Sequence, residues 1–214
     1  MSSKKSIRGI RAIAVTVCAG CFLMTAAAWA GQVTDQIKQK VDKTLKILGD
    51  PALKAPGMET KRRQMLRAIA DEIFNWEEMA KRSLGIHWKA RTPEEKKEFV
   101  KLFSDLLDRT YMGKIEKYSG EKIAYANETI DGKYALLESK IFTKNDTEVA
   151  VNYWLINKDG TWWVYDVSVE GVSLIKNYRT QFNEILARSS YPELVKKIKS
   201  KEGESLKPKE VPAS

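Results

Sequence analysis

Cysteine and histidine are nearly absent from this chain of 214 residues, which contains two cysteines and one histidine. Both cysteines, Cys18 and Cys21, lie within the first 30 residues. The rest of the chain has no thiol, which excludes a cysteine nucleophile, a CxxC redox centre and a thiolate metal site there. The histidine, His87, follows a predicted helix end without a recognisable partner. We therefore interpret it as a surface or capping residue rather than a general base.

Motifs of catalysis and nucleotide binding are also missing. The sequence has no GxSxG, HExxH, GxGxxG or P-loop, and its carboxylates do not cluster at metal-ligand spacing. We expect no metal and no cofactor. Asp166 and Glu170 stay open as catalytic bases, because each lies in or just after an apolar strand, where burial would raise its pKa. Asp166 alternates with Trp162 and Val164, which would point it inward; the alternative is an ion pair with a nearby lysine or arginine.

A hydrophobic run long enough to span a membrane is missing as well. The most apolar stretch, residues 12–27, is shorter than the roughly 20 residues that a transmembrane helix needs. It follows a short basic segment and precedes the small-residue pattern Ala28-Trp29-Ala30, a succession typical of a secretory signal peptide. The sequence predicts cleavage after residue 30 and export of the remaining chain. An uncleaved anchor and lipid attachment at a cysteine are the less favoured alternatives.

The basic balance is weaker than the net charge of +9 suggests. The first 30 residues carry four cations and no acidic residue, so residues 31–214 carry a net charge of +5. A lysine cluster near the C-terminus consists of Lys196, Lys197, Lys199 and Lys201. Glutamates follow it directly in the sequence. Such a run is typical of a charged helix face that is exposed to solvent. The more specific alternative is that these lysines are weakly attracted to an anionic membrane surface. We expect no nucleic-acid partner.

Hydrophobic periodicity predicts an α+β fold. Apolar residues recur at helical spacing in six segments, over residues 33–49, 60–73, 75–85, 92–118, 173–187 and 192–199. Between the fourth and fifth, the pattern changes to four strands, over residues 123–129, 134–143, 148–156 and 161–169. Short turn signals separate these strands, which predicts a four-stranded antiparallel meander packed against about six helices. Residues 31–201 should form a single domain, and residues 202–214 a flexible tail.

The third and fourth predicted strands are apolar on both faces. In the third, one face carries Val149, Val151, Tyr153 and Leu155, and the other carries Ala150, Trp154 and Ile156. In the fourth, Trp162 and Val164 alternate with Trp163, Tyr165, Val167 and Val169. An antiparallel sheet with one wet face would show a clean alternation of apolar and polar residues. Either helices cover both faces, which is the simpler interpretation, or one face lines an apolar cavity.

Two stretches of the sequence resemble a known family. The first runs over the central helices and contains Phe74, Met79-Ala80, Leu84-Gly85, Trp88, Thr92-Pro93-Glu94, Phe99, Phe103, Leu106-Leu107 and Tyr111. The second is more specific and contains Trp163-Val164-Tyr165-Asp166-Val167, Glu170-Gly171-Val172-Ser173-Leu174 and Asn177-Tyr178-Arg179 with Phe182. On these residues the chain resembles the MlaC family, also called the toluene-tolerance Ttg2 family, of periplasmic phospholipid-binding proteins. The resemblance extends over about residues 34–200.

The resemblance implies a periplasmic, non-enzymatic lipid carrier. Such a carrier would move phospholipid between an outer-membrane lipoprotein–porin complex and an inner-membrane ABC transporter with an MCE-type protein, and so maintain outer-membrane lipid asymmetry. The implied fold is a twisted antiparallel sheet backed by helices that enclose an apolar lipid pocket, in a protein that is a monomer. Carried over by position, Tyr111, Val149 and Val172 would line this pocket.

The expected lipid-binding residues combine these three positions with the apolar faces of the predicted elements. They are Leu66, Ile69, Ile73, Leu102, Phe103, Leu106, Tyr111, Val149, Val151, Tyr153, Trp163, Tyr165, Val167 and Val172. Three alternatives remain at this point. The chain could carry a hopanoid-type polycyclic lipid, it could be a periplasmic enzyme with a cone-shaped pocket that uses Asp166 or Glu170 as base, or it could be an adaptor without a pocket.

Overall fold

The computed structural model describes residues 31–118, 120–143, 147–200 and 206; the predicted signal peptide and most of the predicted tail lie outside the described residues. The α-helices are α1 (Gln32–Gly49), α2 (Pro51–Lys54), α3 (Glu59–Ile73), α4 (Trp76–Leu84), α5 (Pro93–Ile115), α6 (Leu174–Leu186) and α7 (Tyr191–Lys199), and a 3-10 helix covers Gly85–Ala90. The strands are β1 (Lys122–Asp131), β2 (Tyr134–Phe142), β3 (Glu148–Lys158), β4 (Thr161–Val169) and β5 (Val172–Ser173).

The predicted α+β fold is confirmed. The additions are α2 and β5, which are too short to produce a periodic pattern.

Helices begin where the sequence predicts them to begin. The Thr92 side chain accepts a hydrogen bond from the Glu95 N–H, and the Glu95 carboxylate accepts one from the Thr92 N–H, with Pro93 in the first turn of α5. Asn75 and Ser173 each accept a hydrogen bond from the backbone N–H three residues ahead, at the starts of α4 and α6. These side chains satisfy amide groups that have no partner within the helix.

Among the described residues, no helix combines the length and apolar character needed to cross a membrane.

The five strands form one antiparallel sheet in the order β1-β2-β3-β4-β5. A bulge interrupts β4: Val164 pairs with Leu155 and Asp166 pairs with Trp154, so Tyr165 is an extra residue between them. An inserted residue reverses the alternation of faces beyond it. The regular alternation predicted for the fourth strand is therefore wrong after Val164. Asp166 lies on the face opposite Trp162 and Val164, not on their face.

Two clusters of buried apolar side chains stabilise the fold. The sheet cluster joins α1, α2 and α3 to one face of the sheet, which we call the inner face; its buried members are Val33, Ile37, Ile47, Leu48, Leu53, Leu66, Ile69, Ile73, Met112, Ala135, Leu137, Leu155, Trp162 and Val164. The helical cluster joins α4 to α7 and includes Met79, Leu84, Trp88, Phe99, Phe103, Leu106, Ile175, Tyr178, Phe182 and Leu194. Helix α5 contributes to both clusters, because its Met112 packs with the sheet while its earlier turns pack with other helices.

A backbone contact with β4 separates the two clusters. Phe74 forms a parallel bridge with Val164, and the Asn75 N–H donates to the Val164 carbonyl at 2.8 Å. The chain therefore attaches to the edge of β4 between the end of α3 and the start of α4. As a result, α3 packs on the inner face of the sheet, whereas α4 contributes to the helical cluster.

Candidate functional site

The inner face of the sheet is buried at one end and uncovered at the other. Leu137, Leu155 and Val164, toward the β1–β2 and β3–β4 turns, are fully buried. Toward the β2–β3 connection, which we call the open end, the same face carries half-buried Val149 and Val169, which is 45% exposed. An apolar face that stays continuous beyond its covering helices is a surface on which an apolar ligand can be buried.

Strand register places polar and apolar side chains of the open end in defined rows. One row crosses all five strands and consists of Tyr125, Ser139, Val151, Val169 and Val172. The row nearer the open end consists of Ile123, Ile141 and Val149, and the row on the buried side includes Leu137, Tyr153 and Val167. The structure thus brings five of the predicted lipid-binding residues into one continuous area: Val149, Val151, Tyr153, Val167 and Val172.

Helix α3 supplies a wall opposite this sheet face. Leu66, Ile69 and Ile73, all predicted lipid-binding residues, are buried in the sheet cluster. From α5, Met112 belongs to the same cluster and Ile115, one turn later, is 42% exposed. Sequence reasoning missed the two α5 residues, because helical periodicity identifies an apolar stripe but not the neighbour it faces.

The remaining predicted lipid-binding residues lie elsewhere. Leu102, Phe103, Leu106, Tyr111 and Tyr165 all contribute to the helical cluster. The Phe103 ring packs edge-on against Tyr178 at 5.3 Å, and the Arg82 guanidinium lies 4.0 Å from the Tyr165 ring centroid. Trp163 pairs with Ile156 on the face of the sheet opposite the inner face. These six residues are therefore not brought together with the inner-face set, and their contact with a ligand stays a prediction.

Several buried hydroxyl and indole groups interrupt the apolar surroundings. The Tyr125 hydroxyl and the Trp162 Nε1 are buried and have no hydrogen-bond partner within the part of the chain that the structure describes. Burial raises the pKa of Tyr125, with smaller contributions from Tyr153 and Asp42. Burial likewise raises the pKa of Tyr153. Both phenols are therefore neutral at physiological pH and can donate hydrogen bonds.

The two carboxylates considered as catalytic bases hold the junction of β4, β5 and α6. Asp166 accepts hydrogen bonds from the Ser173 hydroxyl at 2.5 Å, the Val167 N–H at 2.8 Å and the Ile175 N–H at 3.0 Å. Burial raises its pKa, and these hydrogen bonds oppose the rise. Asp166 is thus stabilised mainly by hydroxyl and amide donors, and the charge of Arg82 contributes a smaller effect that also lowers its pKa. The Glu170 carboxylate accepts a hydrogen bond from the Ala150 N–H, beside a turn in which Glu170 itself has a φ of 49°.

Ion pairs connect α3 to α5. Glu116 accepts from Arg62 and Arg63, each at 2.8 Å, and Arg62 also donates to the Leu53 carbonyl. The hydrogen bond from Arg63 is the largest of the effects that hold the pKa of Glu116 below its ordinary value. The contact lies just after Ile115, and the chain reaches β1 six residues later. It therefore ties the two helices together near the open end.

A groove beside α6 and α7 is less suited to an apolar ligand than the inner face is. This groove of about 550 Å³ at the C-terminal end of α6 and along α7 is lined largely by polar and charged residues, among them Glu184, Arg188, Glu193, Lys196 and Lys197, and by no predicted lipid-binding residue. Lys199 forms an ion pair with Glu98 at 2.7 Å. Within the described ranges, no three histidine, cysteine or acidic residues come together as metal ligands would.

Two named proteins are similar to this chain in sequence. The intermembrane phospholipid transport system binding protein MlaC of Haemophilus influenzae is 26% identical over 129 residues, a match covering 58% of this chain and 60% of the relative's length. The toluene tolerance protein ttg2D of Pseudomonas putida is 28% identical over 147 residues, a match covering 68% of each chain. This chain therefore spans less than two thirds of the length of the Haemophilus influenzae protein.

The fold matches that of a solved structure. The phospholipid-binding protein from Ralstonia solanacearum, solved in complex with a phospholipid, superposes with a TM-score of 0.69 at 25% identity, covering 81% of this chain and 98% of that chain. The family model described as MlaC protein matches residues 38–200, which is more than half of the sequence. The chain therefore belongs to the MlaC family.

Proposed function

We propose that this chain is a non-enzymatic carrier that binds phospholipid and shuttles it across the periplasm. The observation that carries the proposal is the inner face of the sheet, which is largely apolar and uncovered at its open end. The Ralstonia solanacearum structure, described as a phospholipid complex, and the Haemophilus influenzae relative, named as a phospholipid transport component, support it. The signal-peptide pattern supports a periplasmic location.

Hydrophobic free energy defines what such a carrier does. Burying one methylene group contributes about 0.8 kcal/mol, so leaving two long acyl chains in water would cost more than about 20 kcal/mol. A bilayer offers nearly the same apolar contact as a protein pocket, so transfer from bilayer to carrier is close to balanced. The carrier removes the barrier of crossing water, and net direction requires an energy source elsewhere. We propose that an inner-membrane ABC transporter with an MCE-type protein supplies it, and that an outer-membrane lipoprotein–porin complex is the other partner.

Acyl chains would lie between the inner face and α3. Val149, Val151, Tyr153, Val167 and Val172 form one side of the proposed site, and Leu66, Ile69 and Ile73 form the other. No dedicated phosphate loop occurs in the sequence, so we expect weak headgroup selectivity.

Native mass spectrometry of protein purified without detergent from a Gram-negative periplasm tests the proposal. We expect stoichiometric phospholipid, identified after release. A bound polycyclic lipid would favour a hopanoid-type carrier instead. Protein that arrives uniformly empty, and stays empty after mixing with phospholipid vesicles, would overturn the proposal.

A matched pair of variants tests the location of the ligand. Val149→Trp places an indole in the row nearest the open end of the inner face, and we expect it to abolish bound lipid. Lys140→Trp places the same ring on an exposed position of the opposite face, in the neighbouring strand, and should retain lipid. Equal lipid content in both folded variants would contradict an inner-face site.

A further inference from the structure

One buried hydroxyl near the open end of the inner face makes no hydrogen bond within the described part of the chain. The Tyr125 hydroxyl is buried and finds no acceptor among the residues that the structure describes. Its ring packs against the sheet cluster, and its row on the inner face also contains Val151 and Val172. A buried polar group without a partner is rare in native proteins, and each such group calls for an explanation.

The neighbouring hydroxyls of this area are already engaged. The Ser139 hydroxyl donates to the Val151 carbonyl at 2.7 Å. Tyr153, one row deeper, interacts with the Ser139 side chain. Burial raises the pKa of Tyr125, so its hydroxyl keeps its proton and remains a donor. Among the inner-face tyrosines that the structure describes, Tyr125 is therefore the one whose buried hydroxyl has no hydrogen-bond partner.

The depth of Tyr125 matches one part of a phospholipid. Its row lies two residues from the row of Ile123, Ile141 and Val149, which corresponds to about 7 Å along the strands. A phospholipid whose headgroup stays at the open end and whose acyl chains follow the apolar face places its glycerol esters between the two. Ester carbonyls accept hydrogen bonds and donate none, so they match a phenol donor at this depth.

We propose that the Tyr125 hydroxyl donates a hydrogen bond to an ester carbonyl of the bound lipid. Tyr125 then makes the site selective for diacyl ester lipids over ether-linked and polycyclic lipids, which have no carbonyl at that position. This inference rests on the proposed lipid-carrier function and adds a substrate class to it. The buried Trp162 Nε1 cannot serve the same purpose, because Trp162 lies next to the β3–β4 turn, far from the open end.

A competition between two lipids tests the inference. The probes are a dioleoyl phosphatidylglycerol and its dialkyl ether analogue with the same headgroup and chain length, mixed in equal amounts and quantified on the protein by native mass spectrometry. We expect the wild-type protein to prefer the ester by about fivefold, the usual worth of one hydrogen bond. Tyr125→Phe should bind both lipids equally. Tyr134→Phe, which removes a hydroxyl from an exposed ring outside the inner face, should keep the wild-type preference.

The outcomes separate this inference from the proposed function. A wild-type protein without ester preference, or a Tyr125→Phe variant that keeps it, would overturn the role of Tyr125 while lipid binding itself stands. Absence of both lipids from every variant would overturn the carrier function. If Tyr125→Phe does not fold, infrared spectra of the wild-type protein with ¹³C-carbonyl ester lipid decide the question. A carbonyl stretch lowered by hydrogen bonding supports the inference, and a stretch at the free-ester frequency refutes it.

Discussion

Replacing Asp166 separates a structural carboxylate from a catalytic one. Asp166→Asn keeps one oxygen that can accept from the Val167 and Ile175 N–H groups, and exchanges the other oxygen for an amide group facing the Ser173 hydroxyl. The hydroxyl can rotate to accept from this amide, so one hydrogen bond is reversed rather than lost. Asp166→Ala removes all three acceptor contacts and leaves the start of α6 without this tertiary cap.

The expected magnitudes follow from these contacts. The Asn variant loses a charge-assisted hydrogen bond but also the cost of burying a charge, so its free energy of unfolding at pH 7 should differ from that of the wild type by less than about 1 kcal/mol. Leaving several donors without acceptors should cost about 3 kcal/mol in the Ala variant. For a domain of this size, these values correspond to a change in Tm of less than about 4 °C in the Asn variant and a decrease of about 6–12 °C in the Ala variant. Thermal and urea unfolding of both variants measure the difference.

The pH dependence provides a second check on the same residue. Because burial raises the folded-state pKa of Asp166, the folded protein binds the proton more tightly than the unfolded chain does. Its contribution to stability therefore decreases as the pH rises from the unfolded-state pKa of about 3.9 through the raised folded-state pKa. Asp166→Asn should lack this decrease.

Lipid content decides between the carrier and the enzyme. In a carrier, folded Asp166→Asn should retain wild-type lipid occupancy, because the carboxylate lies on the face opposite the inner face. The test requires a variant whose Tm lies within a few degrees of the wild-type value. If such a variant loses its bound lipid, or loses an enzymatic activity that the wild type has, the structural role assigned to Asp166 is refuted. Equal destabilisation by Asn and Ala would refute the hydrogen-bond reasoning.

Two further substitutions test other contacts. Glu116→Gln should lower the free energy of unfolding by about 2 kcal/mol at pH 7, since Arg62 and Arg63 lose a charged acceptor. The folded-state pKa of Glu116 is depressed, so its contribution to stability exists above the unfolded-state pKa of about 4.3 and is lost as the pH falls through the folded-state pKa. Urea unfolding should therefore show a larger deficit at pH 7 than at pH 3. Thr92→Ala should cost about 1 kcal/mol at both pH values by removing the cap of α5, whereas a change below 0.3 kcal/mol would contradict that cap.

Local interactions made much of the fold predictable. Thr92, Asn75 and Ser173 cap helices through backbone groups only three residues away, so the pattern of neighbouring residues was sufficient to place these starts. The turns between strands likewise depend on short runs of turn-forming residues. The ends of the meander strands were accordingly correct to within about two residues.

Contacts between distant parts of the chain could not be read in the same way. Glu128 of β1 accepts hydrogen bonds from the N–H groups of Gly31, Val33 and Thr34 at the start of α1, across more than 90 residues. The bulge at Tyr165 changes which face of the sheet the later side chains of β4 occupy, and no pattern in the sequence predicted it. Both features depend on which segments meet in space, which a periodic pattern does not specify.

The sequence by itself determined the family, the α+β class, the order of the elements and the apolar character of β3 and β4, because these properties reside in residue types and short spacings. Tertiary structure decided which apolar side chains face each other. It separated the predicted lipid-binding residues from one another, placing Val149, Val151 and Val172 at the open end of the inner face and Phe103 in the helical cluster. The physical reason is that burial is satisfied by any apolar neighbour, so hydrophobicity predicts that a side chain is covered but not by what.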